Sequence, residues 1–399
     1  MKTRSRLVSG PPVAALRVWL GSGERSAQRP GEAVLAGRLL EEGSATRDWR
    51  RIAEDAETRG IAIAAAGGYE VLALAIDGPA TELGRMIDWA AELALTSTLE
   101  TERWEWHREL ASAELAALSD EPEVVTGLAA LRQLYGDHPR GRPLIGTQES
   151  LERVEADDSR RAYASALRGR KLAAVAGAIE EGEAARSLEA AFGDPETEGE
   201  TSGAGPDLNG QSEDRVVVEL PGDQAHLVLG RVTVERDHPD LPALEAAGVV
   251  LGAGAGLAGR IPMRVREQEG LAYSVGVDTA AGATVDPGRL IVQAATSPSR
   301  LERAELVIRE ELERFATSGP SEAEFEEARS FLEGREAFRR ETARQVADLL
   351  IEAEFTGLSI DRPDWGRRRW RHLTVEAVRD AAERWLDPAC LCVTIGRPR

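Results

Sequence analysis

Apolar residues recur along the chain with two periods, one typical of strands and one typical of helices. In the first part of the chain an alternating run at 13–20 precedes a helix-like segment at 32–40. Two further strand-like runs and an amphipathic helix follow, at 61–66, 71–76 and 82–95. This order predicts a strand, a helix, a pair of neighbouring strands and a second helix.

The second part of the chain repeats this order. A strand-like run is followed by a helix, two strands and another helix, at 226–234, 244–251, 271–277, 289–294 and 301–315. Both parts also end with a helix and then a strand, at 159–167 with 171–179 and at 375–386 with 390–395. The repetition predicts two homologous halves of roughly 190–200 residues each.

Residues 193–214 separate the two halves, because they are dense in Gly, Glu, Ser and Pro and offer almost nothing to bury. The predicted division is therefore an N-terminal half at 1–192, an exposed linker at 193–214 and a C-terminal half at 215–399. Strands that alternate with helices and pair as neighbours favour an α+β fold. We expect two sandwich halves, each with helices on one face of a mostly antiparallel sheet.

Composition narrows the class of protein. The 399 residues are 42% hydrophobic and 30% charged, and the absence of a run of about 18 apolar residues predicts no membrane span. The basic start at 1–7 leads into Ser9-Gly10-Pro11-Pro12 rather than an apolar core, so a cytoplasmic protein without a signal peptide is expected. A net charge of −20 disfavours binding to nucleic acid.

Cysteine and histidine limit the possible metal chemistry. Cys390 and Cys392 lie one residue apart in a strand-like stretch, where they would point to opposite faces and form no mutual disulfide. The five histidines are scattered, and the closest two, His226 and His238, are too far apart for a helix with two zinc-binding imidazoles. We interpret His138, which precedes a proline, as structural.

Three segments resemble the pitrilysin/insulinase family, whose zinc helix reads H-x-x-E-H. Residues 31–43 are similar to that helix and its closing glycine, and 109–122 with 134–141 and 145–151 are similar to the segment that follows it. Residues 266–274, Arg-Glu-Gln-Glu-Gly-Leu-Ala-Tyr-Ser, resemble the "R-E-x-x-G-L-A-Y-S" segment of the second half. The resemblance covers nearly the whole chain and implies the insulinase/LuxS-like metallohydrolase fold.

The zinc helix is where the chain departs from the family. In such enzymes two helix histidines and a downstream glutamate hold Zn²⁺, and the glutamate of the motif acts as general base. The corresponding residues are Val34 and Arg38 for the histidines, and Gly37 for the base. Glu114 matches the third ligand and is either a solvated helix residue or a buried relic. The resemblance implies no metal and no catalytic residue in this chain.

The second-half motif is retained. By resemblance, Arg266 and Tyr273 form a substrate-binding pair, in which a guanidinium and a phenol can donate hydrogen bonds to a peptide. Other interpretations remain open at this point: Arg266 could be a solvated helix end, and Tyr273 a buried ring with its hydroxyl satisfied.

A lost zinc helix beside a retained second-half motif implies a non-catalytic subunit. It would form a heterodimer with a zinc-bearing homologous subunit, which would supply the zinc, and would hold a flexible peptide substrate. The alternative is a peptide-binding or structural scaffold of the same fold without protease activity. A third possibility, an active zinc peptidase, would need metal ligands from elsewhere in the chain.

For two further segments, the functional interpretation is less favoured than a structural one. The glycines at 251–256 could cradle a phosphate, but no strand–loop–helix unit with a lysine follows them. The resemblance instead implies a flexible loop near a substrate chamber, as in the family's non-catalytic subunits. The cluster Arg367-Arg368-Arg369-Trp370-Arg371 is expected to be a solvated charged face.

Overall fold

A computed structural model of the chain describes residues 2–192, 215–253, 259–358 and 369–399. The predicted linker at 193–214 and residues 254–258, which include the end of the glycine-rich segment, lie outside these ranges. The strands are β1 (Lys2–Leu7), β2 (Val13–Gly21), β3 (Ala62–Gly67), β4 (Val71–Pro79), β5 (Lys171–Gly177), β6 (Arg215–Leu220), β7 (Ala225–Val232), β8 (Ala272–Ala281), β9 (Arg289–Thr296) and β10 (Cys392–Pro398).

Helices surround these strands and range from a single turn to nineteen residues. They are α1 (Glu32–Arg38), α2 (Trp49–Arg59), α3 (Leu83–Thr96), α4 (Thr101–Ser119), α5 (Pro122–Tyr135), α6 (Gln148–Arg153), α7 (Ala156–Arg168), α8 (Glu181–Phe192), α9 (Leu241–Gly248), α10 (Arg260–Pro262), α11 (Leu301–Ser318), α12 (Glu322–Phe338), α13 (Ala343–Phe355) and α14 (Val375–Trp385).

Two five-stranded sheets have the same topology. The first has the order β1-β5-β2-β4-β3 and the second the order β6-β10-β7-β9-β8. In each, the first strand pairs in parallel with the last one, and all other neighbours are antiparallel. The predicted α+β class, with two similar halves and mostly antiparallel sheets, is confirmed.

The first compact unit is built from Met1–Ala116, Pro143–Ala204 and Phe338–Ile360. One face of its sheet packs on helices from the same part of the sequence, with a core that includes Leu16, Leu35, Leu74 and Leu93. The other face packs on α13, which contacts β1, β2 and β5, so this sheet carries helices on both faces rather than on the one face expected. The ring of Phe355 meets the Trp19 indole edge to face at 5.4 Å. The unit therefore needs a helix that lies far along the chain.

Charges also fasten α13 to the first sheet. The Arg17 guanidinium is nine-tenths buried and donates to Asp77 at 2.7 Å and to Asp348 of α13 at 2.5 Å. Near the other end of α13, Glu354 accepts from Arg4 at 2.7 Å. A buried arginine needs carboxylate partners close by, and one of the two partners of Arg17 comes from α13.

The second compact unit is built from Ala117–Arg142, Gly205–Ala337 and Asp361–Arg399. Its sheet packs on α9 and α11, which in turn contact α14, with a core that includes Leu244, Phe315 and Val378. Helix α5, from the N-terminal part of the sequence, contacts β6, β7 and β10. The two compact units therefore divide the chain differently from the two sequence halves.

The turn after α5 is fixed to the hairpin between β8 and β9. The buried Arg140 donates to the carbonyl of Gly282 at 2.6 Å and to the buried carboxylate of Asp286 at 3.3 Å. The Tyr135 hydroxyl donates to the carbonyl of Pro287 at 3.1 Å. His138 accepts from the backbone N–H of Arg140 at 3.3 Å and caps the following turn. The structural interpretation of His138 is confirmed.

Two details differ from the sequence-based expectations. The last strand begins at the buried Cys392, while Cys390 is exposed in the preceding turn, and neither cysteine forms a disulfide with a described residue. Within the basic cluster, Arg369 pairs with Glu245 at 3.1 Å and stacks on the buried Trp370. The solvated face expected there is therefore wrong for these two residues, because the indole packs in the core. Residues 367 and 368 lie outside the described ranges.

Among the described residues, no helix is both long enough and apolar enough to cross a bilayer.

Candidate functional site

Helix α1 contains the residues that resemble the zinc helix, and a buried carboxylate fixes its start. Glu24 is 1% exposed and accepts hydrogen bonds from the backbone N–H groups of Gly31, Ala33 and Val34 at 2.9–3.2 Å. A carboxylate at a helix N-terminus satisfies donors that have no partner within the helix and opposes the positive end of its dipole. The first turn of the helix is therefore fixed by a buried carboxylate.

The backbone of α1 lies directly on strand β3. A Cβ atom built on Gly37 would lie 2.2 Å from the backbone nitrogen of Gly67 and 2.4 Å from the carbonyl carbon of Ala66. A Cβ on Gly67 would in turn lie 2.3 Å from the carbonyl oxygen of Ala33. The position that corresponds to the general base has no room for a side chain in this packing.

Neither histidine position offers a metal ligand. Val34 is buried among the apolar residues of the first core. Arg38 forms a two-pronged ion pair with Glu114 of α4, with nitrogen–oxygen distances of 3.2 and 2.6 Å. A planar guanidinium matches a carboxylate in this geometry. Glu114 is thus neither a free solvated residue nor a buried relic, because its side chain is 41% exposed and paired.

These residues do not fit zinc. A catalytic zinc site needs about three protein ligands, and here a valine, a fixed cation and one carboxylate already bound to that cation stand in their place. Across the described ranges, no group of three or more His, Cys, Asp or Glu side chains is arranged to hold a metal ion.

A second charged cluster follows α1 and was not found from the sequence. Arg103 of α4 donates to both carboxylate oxygens of Glu42 at 2.7 and 2.8 Å, and His107 Nε2 lies 2.6 Å from the same carboxylate. Burial alone would raise the pKa of Glu42, but these hydrogen bonds outweigh it and hold the pKa below its ordinary value. The spacing of Arg103 and His107, four residues apart on α4, was the available signal.

Glu41 lies beside this cluster, and its pKa is shifted in the direction opposite to that of Glu42. Burial raises its pKa to about 7, and the neighbouring Glu42 carboxylate adds to the shift. A carboxyl group with such a pKa is mostly protonated in mildly acidic solution and loses its proton near neutrality.

We expect Glu41 to make stability fall as pH rises from about 4.5 to about 7. The folded chain keeps this proton over that interval while the unfolded chain releases it, so folding is favoured at the acidic end by about 2–3 kcal/mol. Urea unfolding at pH 5 and pH 8 should show a smaller difference for Glu41→Gln than for the wild type. Glu92→Gln is the control: hydrogen bonds from Arg47, Ser44 and Thr46 overcome burial and lower the pKa of Glu92 to about 2, outside this interval. An unchanged difference in Glu41→Gln would contradict the assignment.

The structure brings Arg266 and Tyr273 together in the second unit. Arg266 lies in the helical turn Met263–Gln268, and Tyr273 is the second residue of the edge strand β8. The guanidinium carbon lies 5.2 Å from the centre of the phenol ring. Tyr273 is 84% exposed, so the alternative of a buried ring is wrong. Arg266 also contacts Glu267 at 3.3 Å and is partly exposed. Both polar groups can be reached from solvent.

The sequence matches two family models. Residues 9–148 match the insulinase family, peptidase family M16, and residues 154–332 match the peptidase M16 inactive domain. An uncharacterized zinc protease of Mycobacterium leprae is 30% identical over 327 residues, which are 80% of this chain and 73% of that protein.

Two further proteins are similar to this chain, one in sequence and the other in structure. A non-peptidase homolog of Helicobacter pylori is 26% identical over 261 residues, 62% of this chain and 57% of its own. The crystal structure of a peptidase M16 inactive domain from Pseudomonas fluorescens superposes with a TM-score of 0.89 at 20% identity, covering 100% of this chain and 95% of that one. The structural likeness shows the fold.

Proposed function

Because the chain belongs to peptidase family M16, we propose that it is a non-catalytic member that binds peptide and completes the active chamber of a zinc-bearing homologous subunit. The observation that carries the proposal is the Arg38–Glu114 ion pair in place of a metal site. The Arg38 guanidinium binds the Glu114 carboxylate, which would otherwise be the third ligand. It also places a permanent positive charge where a metal cation would bind.

In this proposal, the exposed Arg266 and Tyr273 are the residues that bind the peptide. A guanidinium can donate two hydrogen bonds to a peptide carbonyl or carboxylate, and a phenol can donate one more. The ring beneath Arg266 also limits the conformations of the guanidinium, which lowers the entropy lost on binding. Zinc would come from the partner subunit in this heterodimer, and the substrate would be a flexible peptide. We place this assembly in the cytoplasm.

We expect Arg266→Ala to lower kcat/KM of the assembly about tenfold or more, since a lost charged hydrogen bond costs about 1.5–3 kcal/mol. The chain would be co-expressed and purified with a homologue that carries an intact H-x-x-E-H helix, and peptide hydrolysis measured with a fluorogenic substrate. Arg379→Ala, which removes a half-exposed arginine on α14, is the matched control. A rate unchanged by Arg266→Ala would refute the proposal. So would stoichiometric zinc and peptide hydrolysis in the isolated chain.

The alternative function is a peptide-binding or structural scaffold without protease activity, and the similarity to a non-peptidase homolog favours it. Purification from native extract discriminates the two. The first function requires a co-purifying homologue with the zinc helix, whereas the scaffold does not.

A further inference from the structure

Helix α4 is apolar on two sides. Its inner side places Trp104, Ala111 and Leu115 in the first core. On the outer side, Trp106 and Leu110 lie one helical turn apart and are 47% and 37% exposed. A surface helix normally presents polar residues on its outer side, and exposed neighbouring large apolar residues commonly mark an interaction site.

Trp106 is held in place although half of it is exposed. The guanidinium of Arg103 lies between two indole rings, 4.6 Å from the centre of Trp106 and 4.7 Å from that of Trp49. The Glu42 carboxylate fixes Arg103, and the His107 ring meets Trp106 edge to face at 4.7 Å. A side chain already ordered in this way loses little entropy on binding, and tryptophan is enriched among residues that dominate binding energy.

Acidic side chains flank the exposed apolar pair. Glu102, Glu105 and Glu109 are all exposed, and none of the three carboxylates forms a hydrogen bond or ion pair with the described part of the chain, although Glu102 also attracts the nearby Arg103. Like charges on one side of a helix repel each other, and a partner with positive charge would relieve this repulsion. The net charge of −20 would add long-range attraction for the same kind of partner.

From this arrangement we propose that the outer side of α4 binds a basic amphipathic helix of a partner polypeptide. The apolar side of that helix covers Trp106 and Leu110, and its Lys or Arg residues lie opposite Glu102, Glu105 and Glu109. The surface differs from the Arg266–Tyr273 pair and needs no zinc-bearing subunit, so it goes beyond the function proposed above.

Three labelled synthetic peptides of about 18 residues, enough for a marginally stable helix in water, test the proposal on the full chain. One is a basic amphipathic helix of Leu, Ala and Arg, the second has the same composition with the apolar side scrambled, and the third replaces Arg by Glu. Fluorescence anisotropy at low and high salt should show the first peptide binding at least about tenfold more tightly than the other two, and less tightly as salt rises.

Two sets of variants separate the apolar from the electrostatic contribution. Trp106→Ala should weaken binding about tenfold or more, as for a central aromatic anchor. The triple variant Glu102→Gln, Glu105→Gln, Glu109→Gln changes only exposed side chains and should remove most of the salt dependence. Leu306→Ala is the control, because Leu306 is a 49% exposed leucine on α11. Equal binding of the three peptides, or binding unaffected by both sets of variants, would overturn the proposal.

Discussion

Gly37→Ala is expected to destabilise the chain by at least about 4 kcal/mol, although alanine normally stabilises a helix relative to glycine. The added Cβ would lie 2.2 Å from a backbone atom of β3, and no side-chain rotation can relieve a clash between two backbones. Helix α1 would have to move away from the sheet and open the first core. Urea unfolding measures this loss directly.

Two other helical glycines provide matched controls. At Gly84 in α3 and Gly127 in α5, a Cβ atom would have no neighbouring atom within 4 Å. Alanine at either position should be neutral or stabilise by up to about 1 kcal/mol. If Gly37→Ala behaved like these controls, the close approach of α1 to β3 would be wrong.

The same packing predicts how the chain behaves when the H-x-x-E-H motif is restored by mutation. The triple variant Val34→His, Gly37→Glu, Arg38→His recreates the H-x-x-E-H sequence, but its glutamate has the clash already described. We expect this variant to unfold at lower urea concentration than the wild type and to hold no stoichiometric zinc by elemental analysis. In this packing the backbone at Gly37, as well as the side chains of Val34 and Arg38, is incompatible with such a zinc site.

A fragment of residues 1–192 is expected to show no cooperative unfolding transition when expressed alone. It contains all five strands of the first sheet but lacks α13, which covers β1, β2 and β5. Without that helix, Trp19 would lose its partner ring Phe355, and the buried Arg17 would lose Asp348. Apolar surface on the sheet and on Trp19 would then be exposed to water at about 25 cal/mol per Å², against a typical folding free energy of only about 5–15 kcal/mol.

The matched control is the intact chain cut once within residues 193–214 after folding, through an inserted protease site. Both compact units keep all their segments in that case, so circular dichroism and the unfolding transition should survive the cut. A fragment 1–192 that unfolds cooperatively near the wild-type midpoint would show that α13 is dispensable.

Local pattern was sufficient for the strands inside the sheets. The run at 13–20 became β2 (Val13–Gly21), and 289–294 became β9 (Arg289–Thr296), because both strands are apolar enough to show their period. The outer strand β1 was not predicted, since its sequence KTRSRL is polar. It is a strand because it pairs in parallel with β5, about 170 residues away, and no local pattern records such pairing.

For the candidate site, the sequence predicted the positions of the residues but not their contacts. Resemblance identified Val34, Gly37, Arg38 and Glu114 by position, but it could not show that Arg38 and Glu114 bind each other. That contact joins residues of two helices, and it depends on how α1 and α4 pack. The elevated pKa of Glu41 was likewise invisible, because burial produces it and burial is a property of the fold.

The position of α13 in the first unit has a consequence for synthesis on the ribosome. The last strand of the first sheet, β5, ends at Gly177, whereas α13 begins at Ala343. At a synthesis rate of ~5–20 residues per second, about 8–30 s pass between the synthesis of β5 and the synthesis of α13. During that time one face, with the tryptophan and arginine that α13 later covers, stays open to water. The nascent first sheet can therefore reach its final packing only near the end of translation, when a holdase chaperone would have most opportunity to bind it.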